Sequence, residues 1–472
     1  MRRLAAVASA VCGIWLAALV YGLPPQQARR DGRAVQKQIE TVPVIFTAAP
    51  VYASLAALHG EERFPQGAQL MVLWGGRTEP LVAGFAASTD ANVSFDGKTV
   101  LFSGKQNAGD KWGIWDVAVE GGTPKLVLAG AMDLIRPLWM AEGRFVYARR
   151  AAGGFALETA GLDGAGPLKL SYLPGNFVPD DVLRDGRVLF ESRFPLGAGV
   201  TASLSAGAPA EMFLVYADGS GVESVRCDHG AGREHGRQLL SGDIVFTHGK
   251  KLARFTSALA EEAAVAAPAG EYAGDVAEMP DGRWLVSVRR PGEKNYGLAV
   301  WKPGAAGLTA LAEDADRDLV EPVVVAPRAV PNRHPSGLHD WAFGNLLALD
   351  ARQSRSGALA TAPAAVRAET MDGTGRVVSL GTAPVEKDGS FFVQATGDQA
   401  LRFILLDAEG RTLRQEQGWF WVRRGEQRIC VGCHTGPERA PDNRVPEVLL
   451  RTTTPVALTG RALAGSAAAG GH

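Results

Sequence analysis

Between residues 43 and 330 one hydrophobic pattern keeps returning: a turn ending in glycine, then alternating apolar positions. It reads Asp96-Gly97-Lys98-Thr99-Val100-Leu101-Phe102, then Glu142-Gly143-Arg144-Phe145-Val146-Tyr147. It recurs as Asp185-Gly186-Arg187-Val188-Leu189-Phe190, as Ser241-Gly242-Asp243-Ile244-Val245-Phe246, and as Asp281-Gly282-Arg283-Trp284-Leu285-Val286. The glycines are 46, 43, 56 and 40 residues apart, near the period of propeller blades. The longest gap holds the Gly/Ala/Ser-rich stretch 197–210, read as a loop insertion. A second half-blade pattern follows some copies, as in the strand Trp112 to Val119, the turn Glu120-Gly121-Gly122 and the strand Lys125 to Leu128. A small sheet cannot bury both faces alone, so the blades are expected to stack radially into a ring. Six or seven blades are predicted, the first and last being too degenerate to count.

After residue 330 the period breaks. Pro331 and Pro335 mark a linker over 331–345. Short strands are then predicted at Leu346 to Asp350, Val377 to Leu380, Ser390 to Gln394, Leu401 to Asp407 and Trp419 to Val422, with turns at Asp388-Gly389 and Glu409-Gly410. This spacing suggests a small β-sandwich over 346–428. The fold class is therefore mainly β: a propeller at 43–330, a sandwich, and a terminal segment 429–472 ending in a flexible tail.

The first 23 residues are an address. Arg2 and Arg3 precede Leu4 to Leu23, which carries no charge and is long enough to span a bilayer core. It reads as a secretory signal peptide or an uncleaved inner-membrane anchor, with a polar linker at 24–42 and the remainder outside the cytoplasm. Cys12 lies inside the apolar run. The composition is ordinary for a globular protein, with 49 Lys plus Arg against 50 Asp plus Glu. That balance lacks the basic footprint of a nucleic-acid binder. Four cysteines are too few for a disulfide scaffold at this length.

Two motifs are incomplete. Gly97-Lys98-Thr99 imitates the end of a phosphate loop, but Asn92 stands where the first glycine is required, so it reads as a hairpin turn. Asp314, Asp316 and Asp318 imitate a calcium loop, but Leu319 replaces its glycine, so they read as a solvated acidic loop. No Gly-x-Ser-x-Gly elbow points to a hydrolase.

Cys430-Val431-Gly432-Cys433-His434 is different, because Cys-x-x-Cys-His is the attachment motif of haem c. Two thiols add across the porphyrin vinyl groups and the adjacent imidazole becomes the proximal iron ligand. Zinc would want four ligands, and this run supplies three; a disulfide or redox dithiol is the remaining alternative. Thirty-eight residues follow His434, too few for an independent cytochrome fold, so one covalent haem is expected to pack on the sandwich, the propeller or a partner. Trp419, Phe420 and Trp421 are candidate packing groups. Residues 435–471 offer no Met, His, Lys, Tyr or Cys as sixth ligand. His339 is the first candidate, with His334, His59, His229, His235 and His248 also available.

The stretch Ser94-Phe95-Asp96-Gly97-Lys98 resembles the WD40-like repeats of TolB-type propellers. Val385 to Val393, Leu401 to Arg411 and Arg424 to His434 resemble the middle domain of hydrazine synthase alpha-subunit-like proteins. The resemblance implies a periplasmic haem c protein with the propeller as docking scaffold, and carries over Cys430, Cys433 and His434. The full alpha subunit of that family has a further C-terminal haem domain, and this sequence has no second attachment motif, so hydrazine synthesis by it alone is not expected. Three functions compete. One is an exported mono-haem protein for electron transfer or redox support, working with a redox partner protein. Another is a haem-dependent oxidoreductase acting on a small nitrogen or oxygen compound at an open iron. The third is a non-redox propeller binding module. No nucleic acid is expected, and membrane contact only through the N-terminal segment.

Overall fold

The computed structural model describes residues 42–151, 154–193, 210–226, 232–354, 357–416, 418–433, 435, 440 and 442–460. The export segment, the stretch 197–209, Cys227, His229 and His434 lie outside the described residues.

Six four-stranded antiparallel sheets form the propeller. Blade 2, from Ala87–Val93 to Lys125–Leu128, is the simplest: four strands in chain order. Blades 3 to 6 begin at Leu134–Met140, Asn176–Val182, Arg233–Gln238 and Glu271–Glu278 and follow the same plan. Blade 1 is composite. Its strands Val44–Ala49, Gln69–Trp74 and Arg77–Pro80 come from the start of the described chain, and its innermost strand, Asp318–Val324, comes from the end of the propeller. Pairing of Val44–Ala49 with Asp318–Val324 closes the ring.

Each of the five repeated turns joins a blade's first strand to its second. At Gly97 the turn is fixed by the Gly97 N–H donating to the Ser94 carbonyl at 3.0 Å and the Lys98 N–H donating to Asp96 Oδ1 at 3.1 Å. This is a hairpin turn, as read from the sequence. Blade 1 has no such turn because its first two strands come from opposite ends of the propeller. That is why five copies of the phrase mark six blades. The acidic loop at 314–318 is also local structure: Asp314 receives the Asp316 and Arg317 N–H groups at 3.0 Å each.

The first strand of each of blades 2 to 6 carries a register shift, and so does the pairing that closes blade 1. At these bulges Asp90, Arg136, His235 and Glu321 adopt left-handed backbone, with φ of 59°, 54°, 56° and 54°. Blade 6 puts Gly274 there, at φ 65°. Bulges re-aim side chains, and here they bring charged groups together where the blades converge.

Two further sheets form the sandwich. One pairs Phe343–Ala348 with Phe391–Thr396, and the other pairs Ala365–Met371 with Val377–Pro384 and Arg402–Leu406. Leu346, Val366, Val393 and Leu405 meet in its core. The sequence reading needs three corrections. Ala365–Met371 and Thr412–Gln415 are strands that the spacing did not reveal. Trp419 to Val422 is not a strand; only Phe420 makes an isolated bridge, to Leu401. The sandwich also takes in chain beyond 428: Gln427–Cys430 pairs in parallel with Phe343–Ala348, and Val456–Leu458 in parallel with Phe391–Thr396. Parallel edge strands of three or four residues leave little periodic signal.

The sandwich docks on blades 3 and 4. Trp419, Trp421 and Ala400 join Leu157, Leu170, Phe177, Phe190 and Val215 in one apolar cluster. Trp421 is fully buried, donates its indole N–H to the Gly219 carbonyl at 2.8 Å, and sets its ring edge-on to Phe177. Arg423 donates to the Asp218 carbonyl and to Asp398, and the Gly221 N–H donates to Glu426 Oε1 at 3.1 Å. Replacing Trp421 with Ala is expected to cost about 3–5 kcal/mol by emptying this site. Trp421→Phe should cost about 1–2 kcal/mol, chiefly from the orphaned carbonyl. Thermal unfolding checks both, and equal midpoints for wild type and W421A would contradict this role.

Asp388 anchors the chain that follows the cysteine motif. It receives the Glu447 N–H at 2.9 Å, the Ser390 hydroxyl at 2.6 Å and Arg444. Burial alone would raise its pKa, but the hydrogen bonds from Ser390, the Glu447 N–H and Arg444 hold it down at about 2. A depressed carboxylate stabilises the fold above its ordinary value near 4, and that stability drains as pH falls towards 2. Asp388→Asn is expected to lower stability at pH 7 by on the order of 1–2 kcal/mol, with the gap to wild type closing between about pH 4 and pH 2. Denaturant unfolding across that range measures it; a gap independent of pH would contradict the assignment.

Candidate functional site

Docking leaves a cavity of about 900 Å³ between the sandwich and blades 4 and 5. Phe213 and Val225 line it from blade 4, and Ile244 and Phe255 from blade 5. Trp419, Phe420, Ile429 and Cys430 line it from the sandwich, and His334 and Leu338 from the linker. Ile429 is 66% exposed although it is a large apolar side chain, and it faces this space. Ligand sites commonly have volumes of about 300–1,000 Å³ and mostly apolar walls.

Cys430 reaches the wall because Gln427–Cys430 is an edge strand, held beside Phe343–Ala348 and extended by the Leu349 N–H donating to the Cys430 carbonyl at 2.9 Å. The chain then turns sharply. A Cβ on Gly432 would lie 2.9 Å from the Gln353 carbonyl oxygen and 3.1 Å from that of Asp350, so the turn packs against backbone and has no room for a side chain. The Cys433 N–H donates to the Gln353 carbonyl at 2.9 Å, and Cys433 packs against the sandwich core. Burial and the neighbouring Glu416 push its thiol well above the ordinary range.

Three arginines line the cavity, and each is paired. Arg187 meets Glu223 at 2.6 Å, Arg226 meets Glu261 at 3.2 Å, and Arg428 meets Glu426 at 2.8 Å. Arg428 also lies over the Phe420 ring at 5.6 Å.

The other sequence-selected residues are dispersed. His339 is not among the residues lining the cavity. Its backbone is tied to Gly425, and its exposed ring stacks on Trp341 with centroids 4.6 Å apart. The linker instead brings His334 to the cavity wall, where it stacks on Tyr216 at 3.8 Å. His59 lies beside Arg193, at 2.7 Å from Nδ1, and His248 meets Glu262 at 2.6 Å. His235 is buried among the propeller's innermost strands. Trp421 serves the interdomain core, whereas Trp419 and Phe420 contribute to both core and cavity. The blade 4 and 5 walls carried no signal in the sequence, because nothing local says which propeller edge the sandwich covers.

The residues present fit a haem on three counts: cavity volume, apolar walls, and a cysteine of the attachment motif on the wall. They diverge on one. Cys433 faces the sandwich, so thioether bonds from both cysteines require the 431–433 turn to swing and release its hydrogen bond to Gln353.

Residues 348–435 match the sequence model of the hydrazine synthase alpha subunit middle domain. Among curated proteins, none matches this chain by sequence. Among solved structures, Kuenenia stuttgartiensis hydrazine synthase superposes with a TM-score of 0.73 at 17% identity, over 87% of this chain and 72% of that one. TolB from Acinetobacter baumannii gives a TM-score of 0.44 at 12% identity, over 65% and 74% of the two chains. The chain shares the hydrazine synthase fold over most of its length, and within it residues 348–435 are similar in sequence to the alpha-subunit middle domain.

Proposed function

We propose that this chain is an exported mono-haem c protein that carries electrons or supports a redox partner. The cavity at Cys430 supports the reading most directly: a large, mostly apolar space built by two domains beside an attachment motif. Cys430 and Cys433 would hold the group covalently and His434 would be its proximal ligand. When bound, the haem supplies a one-electron couple and an iron site whose distal face decides between electron transfer and ligand chemistry. The chain's own residues supply the rest. Trp419, Phe420, Ile429 and Phe255 present apolar surface to the cavity. The arginine–carboxylate pairs balance charge around it. The docked sandwich fixes the separation between the cysteine strand and blades 4 and 5.

Export rests on the N-terminal 23 residues. Among the described residues no helix is long and apolar enough to cross a membrane.

A haem-dependent oxidoreductase acting on a small nitrogen or oxygen compound is the second reading. One observation favours it: among the described lining residues His334 is the one imidazole, and it is engaged with Tyr216. That arrangement is consistent with an open iron position.

Expression in a strain with haem-attachment machinery, followed by absorbance spectra of the ferric and ferrous forms, tests both readings. One haem per chain, resistant to acid acetone and lost in Cys430→Ala, is expected. A low-spin spectrum indifferent to cyanide and nitric oxide supports electron transfer, and a high-spin spectrum that changes with them supports the enzyme. A colourless, folded, exported protein would overturn both and leave the non-redox binding module.

A further inference from the structure

The propeller's centre holds a buried charge network separate from the cavity. Arg136, on blade 3, meets Asp180 of blade 4 at 3.4 Å, Asp275 of blade 6 at 3.4 Å and Glu321 of blade 1 at 3.6 Å. Its backbone N–H also donates to Asp90 of blade 2 at 3.1 Å. A side chain that reaches this many blades stands at the axis. Arg63 pairs with Asp90 and Glu321, and Arg237 with Asp275 at 2.7 Å.

One corner of this network is only partly compensated. Asp180, Glu191 and His235 are all buried, and each offers a ligand atom within 4.8 Å of the other two. Glu191 makes no salt bridge among the described residues; it receives only the His235 N–H, at 3.2 Å. His235 is 2% exposed, and neither of its ring nitrogens has a hydrogen-bond partner. Its nearest carboxylate among the described residues is Asp275, whose Oδ1 lies 3.9 Å from Nδ1, beyond hydrogen-bond distance, so a buried donor and acceptor are left unsatisfied. Burial lowers its pKa to about 3, so it is a neutral ligand. Burial raises both carboxylates, Glu191 to about 7, and the neighbouring Glu191 charge raises Asp180 further, while Arg136 opposes the rise.

We propose that Asp180, Glu191 and His235 form a divalent metal site at the propeller axis, suited to zinc or another first-row ion. One imidazole nitrogen and two carboxylate oxygens are a donor set such ions accept, with a further position left for water. Bonds near 2 Å would draw the three groups together by about an ångström. Arg136 is retained by its other partners, the Pro179 carbonyl at 3.0 Å among them. Because Asp180 and Glu191 belong to blade 4 and His235 to blade 5, the ion fastens two neighbouring blades.

The purified full-length chain, stripped with chelator and titrated with zinc, tests this. One zinc per chain by mass spectrometry of the metal is expected, with an X-ray absorption spectrum showing nitrogen and oxygen near 2.0–2.2 Å and no sulfur shell near 2.3 Å. Zinc should raise the melting midpoint. His235→Asn keeps a residue that tolerates the left-handed backbone, and Glu191→Gln keeps the shape; each should weaken zinc binding at least tenfold. Failure to retain zinc, or unchanged binding in both variants, would overturn the proposal. A sulfur shell would overturn it by assigning the ion to Cys430 and Cys433. The wild-type stoichiometry and ligand shell decide the matter even where a variant does not fold.

Discussion

Trp421 joins two bodies that would otherwise be separate. Its indole fills the apolar seam between the sandwich and blades 3 and 4, and its N–H satisfies a propeller carbonyl. Everything proposed about the cavity depends on that seam, because the walls come from both sides of it. The cysteine strand is attached to the sandwich, and Phe213, Ile244 and Phe255 to the propeller. If the sandwich were free to swing, no cavity of fixed shape would exist beside Cys430. Arg423 and Glu426 add polar contacts that set the angle of docking, while the tryptophan and its apolar neighbours supply most of the adhesion.

A second constraint operates at the ring's centre. Six innermost strands bulge there, and the bulges aim charged side chains at one another. Buried ion pairs are weak evidence of stability, since removing charges from water offsets much of their attraction. They do fix geometry, because each pair is satisfied only when the blades stand in the right order. The axis network therefore specifies the closed ring, and among its described carboxylates Glu191 is where pairing with arginine runs out.

Much of this was legible in the sequence. The glycine-turn phrase located five blades because a hairpin turn demands it; the sixth carried no copy because ring closure splits that blade between two ends of the propeller. Alternation revealed four of the sandwich strands and missed Ala365–Met371 and Thr412–Gln415 as well as the short parallel ones at Gln427–Cys430 and Val456–Leu458. The attachment motif was plain, but its surroundings were not. Which propeller edge faces Cys430, and why His334 and not His339 lines the cavity, follow from docking between distant segments. The axis network did leave a trace. Seven residues before the repeated glycine stand Asp90, Arg136, His235 and Asp275, with Pro179 next to Asp180 in the remaining copy, so charged or titratable groups recur at one place along the strand. Read singly, each looks like an ordinary polar residue.

The central claim is that a porphyrin occupies the space between blades 4 and 5 and the sandwich. The most direct measurement is the position of iron by anomalous diffraction at the iron edge from crystals of the exported, full-length protein. A single iron peak is expected inside the cavity bounded by Phe255, Phe420 and Cys430, with density continuous to both cysteine sulfurs. An iron peak outside that cavity, or none in a crystal whose cavity is filled by water, would contradict the account.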